Sequence, residues 1–437
     1  MKNIKSKVLK DKIMAQPTIK FLTLGCKVNQ YDTQLMREAC LSYNLKEVNS
    51  RHKADYYVIN TCTVTSRSDS ESLNLLRRVM RENPWAKVLV TGCLVKMDSQ
   101  RIRQVKKDVI LVENSRKPKL AEILFKERLR PQVKDLANQG ISYFAGHTRA
   151  FLKVQDGCNY ACSYCKVPLV RGSLQSRPLE AVLSEAKRLI ANGYKEIVLT
   201  GICLGSYGRD FRPKKSLLEL IHALLELDGL KRLRLSSIEP QDVSDELIQL
   251  MADCPKLCPH LHIPLQSADP KILKMMRRRY TAQEYLNLIL RLKRKIPGLA
   301  ITTDCLVGFP GETKENFFHT VKMIKRIQPL KTHIFPYSPR PGTYAFKNFK
   351  NLIPAKELKE RVSFLSSVAQ QASFNYRKKF LGAKKVVLFE EEINGVWFGF
   401  TDNYIKVRLK AKRDLKGKLA RVLLTAIEGE QMAGRLI

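Results

Sequence analysis

The segment Cys158-Asn159-Tyr160-Ala161-Cys162-Ser163-Tyr164-Cys165 directly follows a strand-like run at Phe151–Gln155. Its three cysteines, in CxxxCxxC spacing, suit three corners of a 4Fe-4S cube and leave the fourth iron without a protein ligand. Zinc is the less favoured alternative, because a structural zinc site needs a fourth ligand nearby and His147 lies on the far side of the run. The segment therefore predicts an iron–sulfur site with one open iron.

An open metal position binds a substrate or cofactor, as it does in catalytic zinc sites. S-adenosylmethionine is suited to this position through its amino and carboxylate groups. One electron from the cluster then breaks the sulfonium bond and gives a 5′-deoxyadenosyl radical. We therefore predict a radical S-adenosylmethionine enzyme.

Further strand-like runs continue downstream, with helical segments between them. The runs are Glu196–Thr200, Arg232–Ser236, His260–Pro264, Ile301–Leu306 and Lys331–Phe335. Alternating strands and helices predict a parallel sheet curled into a partial barrel of six βα units. Its functional residues are expected at the carboxyl ends of the strands.

Upstream, three β-rich runs at Thr18–Leu24, Tyr56–Ile59 and Lys87–Thr91 are each followed by a cysteine and a helical stretch. The cysteines are Cys26, Cys62 and Cys93. Ligands gather beyond the carboxyl ends of parallel strands, so these thiols are expected to converge on one site. The alternative is three buried small hydrophobic residues.

After about Asn375 the pattern changes to short β-type runs at Lys385–Phe389, Val396–Phe400, Tyr404–Leu409 and Ala420–Thr425. They predict a small antiparallel barrel. Basic residues alternate there with Trp397, Phe398, Phe400 and Tyr404, which suits a nucleic-acid platform, although the rings fit a core equally well. Deleting this tail after about Tyr376 is expected to leave the rest intact.

The charge balance points to a polyanionic partner. The 437 residues include 78 Lys and Arg against 41 Asp and Glu, a formal charge of +37. This excess favours RNA, with a generally basic surface as the alternative. No run is apolar enough for a spanning helix and no secretion signal is evident, so we expect a soluble cytoplasmic protein whose 11 cysteines stay reduced.

With Leu24–Asp32 (LGCKVNQYD), Asn60–Thr63 (NTCT), Thr91–Leu94 (TGCL) and Leu306–Glu312 (LVGFPGE), the cysteine segment resembles the radical S-adenosylmethionine methylthiotransferase family. The resemblance implies an α/β chain of three domains. They are an N-terminal parallel α/β domain (18–125), a radical S-adenosylmethionine domain (144–374) with a partial (β/α)6 barrel, and a TRAM RNA-binding barrel (375–437). Glu127–Asn138 is the predicted linker between the first two.

The resemblance also implies that Cys26, Cys62 and Cys93 hold a second 4Fe-4S cluster with a free iron. Two molecules of S-adenosylmethionine are then used, one to methylate a sulfur at that cluster and one to supply the radical. A reductant such as flavodoxin or ferredoxin and a sulfur donor are implied partners, and no membrane partner is expected.

Three motifs resemble the branch that acts on N6-threonylcarbamoyladenosine at position 37 of the tRNA anticodon loop. They are Lys27–Tyr31, Leu204–Gly208 and His333–Thr343. Methylthiolation of isopentenyl-adenosine in tRNA or of a ribosomal-protein aspartate is the enzymatic alternative. A cluster-bearing RNA-binding regulator is the non-enzymatic one.

The resemblance and the strand-end rule predict a cofactor shell of small or polar residues around S-adenosylmethionine, with structural turns or caps as the alternative for each. The shell comprises Tyr164, Gly201, Glu239, Gln266 and Asp304. Cys203, Ala268 and Gln175 depart from the family pattern, and we expect them to affect substrate fit rather than a cluster. Cys254 and Cys258 are expected to be a reduced packing pair rather than a metal site.

Overall fold

The computed structural model describes residues 16–49, 52–125 and 140–437, so the predicted linker Glu127–Asn138 lies outside the described residues. The chain divides into two compact units. One extends to Ile141 and also includes Leu169–Arg171, and the other comprises Ser142–Pro168 and Gly172–Ile437. Within the described ranges, no helix is both long enough and apolar enough to cross a bilayer.

The first unit contains a five-stranded parallel sheet in the order β2-β1-β3-β4-β5. Its strands are β1 (Thr18–Thr23), β2 (Lys46–Glu47), β3 (Tyr56–Thr61), β4 (Lys87–Gly92) and β5 (Ile110–Val112). Its helices are α1 (Lys27–Leu41), α2 (Ser66–Glu82), α3 (Cys93–Met97), α4 (Ser99–Val105) and α5 (Leu120–Phe125). Both faces are covered, since Val58 and its neighbours Tyr57 and Ile59 pack into two different apolar clusters. The predicted parallel α/β domain is confirmed.

The second unit contains the six predicted parallel strands, in two three-stranded sheets ordered β6-β9-β10 and β11-β12-β13. Single bridges, Leu233 to Leu257 and Ser237 to His262, join the two sheets. The strands are β6 (Arg149–Lys153), β9 (Glu196–Thr200), β10 (Arg232–Leu235), β11 (His260–His262), β12 (Ala300–Val307) and β13 (Lys331–Pro336). Two short strands, β7 (Gln155–Asp156) and β8 (Gln175–Ser176), form an antiparallel pair of their own. In sequence they lie on either side of the segment with Cys158, Cys162 and Cys165.

Helices alternate with these strands, as the sequence predicts. They are α6 (Val167–Arg171), α7 (Leu179–Ala191), α8 (Leu217–Leu225), α9 (Asp245–Asp253), α10 (Pro270–Met275), α11 (Ala282–Lys295), α12 (Lys314–Ile327), α13 (Tyr344–Asn348) and α14 (Ala355–Lys378). Thr281 and Glu284 form the expected capping box at the start of α11, each side chain bonding the other's backbone N–H.

The C-terminal strands close into a barrel in the order β14-β15-β16-β18-β17. They are β14 (Lys384–Ile393), β15 (Val396–Thr401), β16 (Lys406–Lys410), β17 (Leu419–Glu428) and β18 (Gln431–Leu436). The barrel is antiparallel except for β16 and β18, which pair in parallel. Strand β18 was not predicted, because its small and polar residues give little β signal. Position 375 lies inside α14, so the strands begin after the predicted domain boundary.

A buried charge cluster joins this barrel to the amino ends of the parallel strands. Glu196, at the start of β9, is fully buried and accepts a 2.6 Å hydrogen bond from Arg234 Nε. Arg234 Nη1 also donates to the carbonyl of Asp402, and Arg232 Nη2 donates to that of Val386, at 2.8 and 2.6 Å. Removing the barrel would leave these two arginines without their carbonyl partners. We therefore correct the sequence-based expectation and predict that truncation destabilises the second unit.

The aromatic residues of the tail are mostly occupied inside the protein. Trp397 is in the apolar core of the small barrel. Phe400 lies under the guanidinium of Arg149, and Tyr404 stacks on His260 with ring centroids 4.5 Å apart. Three of the four rings predicted as a nucleic-acid platform are therefore core or docking residues. The exception is Phe398, whose ring centroid lies 4.9 Å from Lys406 Nζ.

Candidate metal centres

The loop after β7 holds the CxxxCxxC cysteines, and a glycine sets its entry. Gly157 has φ +66°, and a Cβ there would lie 1.9 Å from the carbonyl oxygen of Ser173. Only glycine fits this close backbone approach. Further along, Ser163 donates its backbone N–H to Met276 and its hydroxyl to Met275, at 3.0 and 2.7 Å. The loop is therefore fixed at both ends.

Each of the three sulfurs accepts one N–H···S hydrogen bond. The backbone N–H groups of Tyr160 and Val167 donate to Cys158 and Cys165, at 3.3 and 3.4 Å. Arg278 Nη1 donates to Cys162 Sγ at 3.3 Å. Hydrogen bonds to thiolate sulfur are among the features that tune iron–sulfur clusters. These donors fit a set of sulfurs held as thiolates.

The ionisation of the three thiols differs. A hydrogen bond from Cys203 is the main cause that lowers the pKa of Cys158 to about 7, whereas burial raises the pKa of Cys165 to about 12. Burial also raises the pKa of Cys162, against the opposing effect of Arg278. Protein burial alone thus disfavours two of the thiolates, and bound iron would supply the missing positive charge.

The position of Cys203 bears on one expectation from the sequence. We expected no family departure to affect a cluster ligand, yet Cys203 lies close enough to Cys158 to lower the pKa of that thiol. The backbone N–H of Cys203 is held by Gln155 Oε1 at 2.8 Å. Of the other two departures, Ala268 is not among the residues with positive φ, and Gln175 in β8 pairs with Asp156 in β7.

In the first unit, Cys26, Cys62 and Cys93 follow the carboxyl ends of three neighbouring strands. The register pairs Thr23 with Asn60 and Thr61 with Gly92, so β1, β3 and β4 end at one edge. A Cβ on Gly25 would lie 3.1 Å from the Cys62 sulfur, which places Cys62 directly against the residue that precedes Cys26. Cys93 and Cys26 also raise the pKa of Cys62, after the larger effect of burial. This arrangement agrees with the predicted convergence of the three thiols, which stays a prediction.

We expect Gly92→Ala to empty this site. Gly92 has φ +97°, and a Cβ there would lie 2.3 Å from the carbonyl oxygen of Thr61, which forces β3 and β4 apart beside Cys93. Iron analysis should fall from about eight to about four per chain. Gly193→Ala is the matched control, because Gly193 has φ +89° but no atom within 4 Å of its Cβ position. An unchanged iron content in Gly92→Ala would contradict the prediction.

A buried ionic cluster lies beside the first-unit cysteines. Asp32 accepts from Lys117 Nζ at 2.8 Å and lies 3.5 Å from Arg171 Nη2, and all three side chains are at most 4% exposed. Arg171 also donates to Asn29 Oδ1 at 2.5 Å. Burial lowers the pKa of Lys117, whereas Asp32 and the nearby Cys93 oppose that shift. Lys117 therefore lies close enough to Cys93 for a positive charge on it to complement an anionic ligand.

The predicted cofactor shell is partly at the strand ends. Gly201 directly follows β9 and lies against Gln155. Glu239 lies after β10 and forms an ion pair with Arg278. Gln266 lies after β11. Tyr164 packs edge-on against Phe309. Asp304 is inside β12 rather than past its end, where it lies 3.2 Å from His262. These roles remain predictions.

The remaining cysteines have the properties of packing residues. Cys40, Cys258 and Cys305 are at most 1% exposed, and burial raises the pKa of each thiol. Cys254 lies at the end of α9. Among the described residues, only His262, Asp304 and His333 bring three potential ligand atoms within 4.8 Å of one another.

Sequence reasoning missed His262 and His333 as members of a polar cluster. The sequence places both histidines in strand-like runs whose side chains alternate between the two faces of a sheet. It does not show which strands become neighbours, so it could not show that the two histidines meet.

Comparison with known proteins supports the same interpretation. Residues 152–324 match the radical SAM superfamily, and residues 18–113 match uncharacterized protein family UPF0004. The chain is 36% identical to threonylcarbamoyladenosine tRNA methylthiotransferase of Bacillus subtilis over 93% of both chains. It is 32% identical to tRNA-2-methylthio-N(6)-dimethylallyladenosine synthase of Endomicrobium trichonymphae, over 95% of this chain and 99% of that one.

In fold, the chain is similar to the radical S-adenosylmethionine methyltransferase TsrM of Kitasatospora setae, solved with cobalamin and a 4Fe-4S cluster. The TM-score is 0.53 at 17% identity, covering 76% of this chain and 77% of that one. Parallel strands alternating with helices, with three cysteines in the loop after the first strand, belong to the radical S-adenosylmethionine class of fold. The chain belongs to the methylthiotransferase family within that class, whose members use 4Fe-4S clusters and S-adenosylmethionine.

Proposed function

We propose that this enzyme converts N6-threonylcarbamoyladenosine at position 37 of tRNA to its 2-methylthio derivative. The observation that carries the proposal is the presence of two separate cysteine triads in a chain 34–37% identical to four threonylcarbamoyladenosine methylthiotransferases. The dimethylallyl-adenosine relatives are 30–32% identical, so the first substrate is favoured. Cytoplasmic action follows as part of the proposal, since tRNA is modified there.

The two triads have different proposed tasks. Cys158, Cys162 and Cys165 would hold the 4Fe-4S cluster that would supply the electron for cleavage of S-adenosylmethionine. Cys26, Cys62 and Cys93 would hold the second cluster, which would carry the sulfur for transfer. Around the first triad, Arg278 has two roles: it donates to Cys162 and it neutralises Glu239. Glu239 is thereby held in a fixed position after the carboxyl end of β10.

Nucleoside analysis tests the substrate assignment. Total tRNA from a strain that lacks this gene should lose the 2-methylthio derivative of threonylcarbamoyladenosine and regain it on complementation. Loss of the dimethylallyl derivative instead would assign the enzyme to the other tRNA branch. Normal tRNA modification with loss of methylthiolation on a ribosomal-protein aspartate would favour the protein branch. Normal levels of all three products would favour a regulator.

The proposal requires two further partners, a low-potential electron donor such as flavodoxin or ferredoxin and a source of sulfur. The electron donor is needed because each cleavage of S-adenosylmethionine consumes one electron. The sulfur source is needed because the transferred atom leaves with the product. Purified enzyme given tRNA, a chemical reductant and S-adenosylmethionine, but no sulfur source, should therefore stop after the sulfur it already carries is used.

We propose that RNA contacts the outer face of β16 rather than the four aromatic rings together. Val407 and Leu409 point into the barrel, while Lys406, Arg408 and Lys410 alternate with them on the outside. Phe398 of the neighbouring strand β15 pairs with Arg408, and Lys406 lies over its ring. This face therefore carries one aromatic ring that can stack on a base, surrounded by cationic side chains. Such a combination suits single-stranded RNA.

Lys406→Glu and Lys410→Glu together should weaken tRNA binding and make its salt dependence shallower. Each lost phosphate contact reduces the slope of log K against log salt by about 0.7 to 0.9. Filter binding across a salt series measures both quantities. Lys187→Glu, on the exposed side of α7, is the charge-matched control. If the control lowers affinity and slope as much as the β16 variant, then the general charge of the protein, and not this face, holds the RNA.

A further inference from the structure

A cluster of three ligand-type side chains lies apart from both cysteine triads. His262 Nε2 is 3.2 Å from Asp304 Oδ2, and the rings of His262 and His333 are 5.8 Å apart. One ligand atom of each residue lies within 4.8 Å of the ligand atoms of the other two. Two imidazoles and one carboxylate are the donor set of many zinc sites and of the facial triad that binds ferrous iron.

Rigid elements hold these three side chains. They come from the adjacent parallel strands β11, β12 and β13, where His262 pairs with Thr302 and Asp304 pairs with His333. Paired positions in a parallel sheet share a face, and residues two apart on one strand do as well. All three side chains therefore project from the same face of the sheet. Sites built on strands are more precise than sites on loops.

The other ring nitrogen of His262 is also fixed. His262 Nδ1 lies 3.0 Å from the hydroxyl of Thr302, which is itself 3.1 Å from His260 Nε2. Thr302 is only 3% exposed, so this contact is protected from water. Histidines that bind metals almost always engage their second nitrogen in this way, which sets the tautomer and the ring orientation.

We propose that His262, Asp304 and His333 bind a divalent transition-metal ion that is separate from both iron–sulfur clusters. His262 and Asp304 are 16% and 25% exposed, so the ion keeps open positions that take water or an anionic oxygen ligand. The proposal assigns Asp304 to this ion rather than to S-adenosylmethionine. Thiolates play no part, and the site is therefore expected to fill while the six cluster cysteines hold iron.

Zinc titration of the cluster-loaded, full-length enzyme tests the proposal. After anaerobic reconstitution and removal of loose metal, calorimetry with Zn²⁺ and elemental analysis should give one zinc per chain with iron content unchanged. His333→Ala should lose this zinc. Thr302→Val should bind it about 10- to 100-fold more weakly, because His262 is no longer oriented. His222→Ala, which removes an exposed histidine of α8, is the control and should bind zinc as the wild type does.

Two outcomes would overturn the proposal. One is equal zinc binding by the wild type and His333→Ala, with cluster absorption showing that both are folded. The other comes from a test that is independent of any variant. If the proposal holds, crystals of the wild type soaked in zinc should show an anomalous peak at the zinc edge between the three side chains. A peak elsewhere, or none, would mean that the three residues form only a hydrogen-bonded row.

Discussion

Replacing Cys162 with alanine should abolish the release of 5′-deoxyadenosine, whereas replacing Cys62 should abolish methylthiolation and leave that release in place. The two residues belong to triads in separate units of the chain, and only the triad with Cys162 is proposed to cleave S-adenosylmethionine. Each variant should retain about four of about eight irons. Anaerobic assays of 5′-deoxyadenosine and of the methylthiolated nucleoside measure the two losses separately.

Cys254→Ala is the matched control for these variants, since Cys254 is half-buried at the end of α9 and outside both triads. It should change neither iron content nor either product. If Cys62→Ala also stopped the release of 5′-deoxyadenosine while four irons remained, the two sites would not divide the chemistry as proposed. If it kept all eight irons, the first-unit triad would not be a cluster site.

Glu196→Gln should lower the free energy of unfolding of the second unit by about 3–5 kcal/mol. Burial alone would raise the pKa of Glu196, but Arg234, Arg149 and Arg232 together lower it, so the carboxylate is ionised at neutral pH. The substitution leaves buried guanidinium groups without their counter-charge. Thermal unfolding should show a decrease in Tm of roughly 10 °C. Because the pKa of Glu196 is lowered, its contribution is present at neutral pH and is lost as the pH falls through that pKa.

Two further variants isolate the cause. Glu226→Gln, the same substitution at an exposed position after α8, should change Tm little. Glu196→Leu combined with Arg234→Met should recover much of the stability, because apolar residues of similar volume often replace a buried ion pair at little cost. A Glu196→Gln protein as stable as the wild type would show that backbone carbonyls of the C-terminal barrel satisfy the arginines by themselves.

Much of the candidate site was available from the sequence because its signals are local. Cys158, Cys162 and Cys165 fall within one loop, so their spacing alone limits what they can bind. The strand-like runs around Ile59 and Leu235 are equally local, since β-branched and aliphatic residues bounded by turns favour strands. Even the position of Cys26, Cys62 and Cys93 after the ends of neighbouring strands followed from a repeat, because parallel strands all end at the same edge.

The tertiary structure alone decided which face of each strand meets which neighbour. Alternation in Phe398–Phe400 predicts that these rings share a side, but only the tertiary structure shows that Arg149 stacks on Phe400 and Lys406 lies over Phe398. Cys203 is distant in sequence from Cys158, and their contact depends on how the loops of β6 and β9 meet. His262 and His333 likewise form a cluster with Asp304 only through the order of β11, β12 and β13. Sequence patterns record the conformation of each segment, whereas such contacts depend on long-range packing that no local pattern encodes.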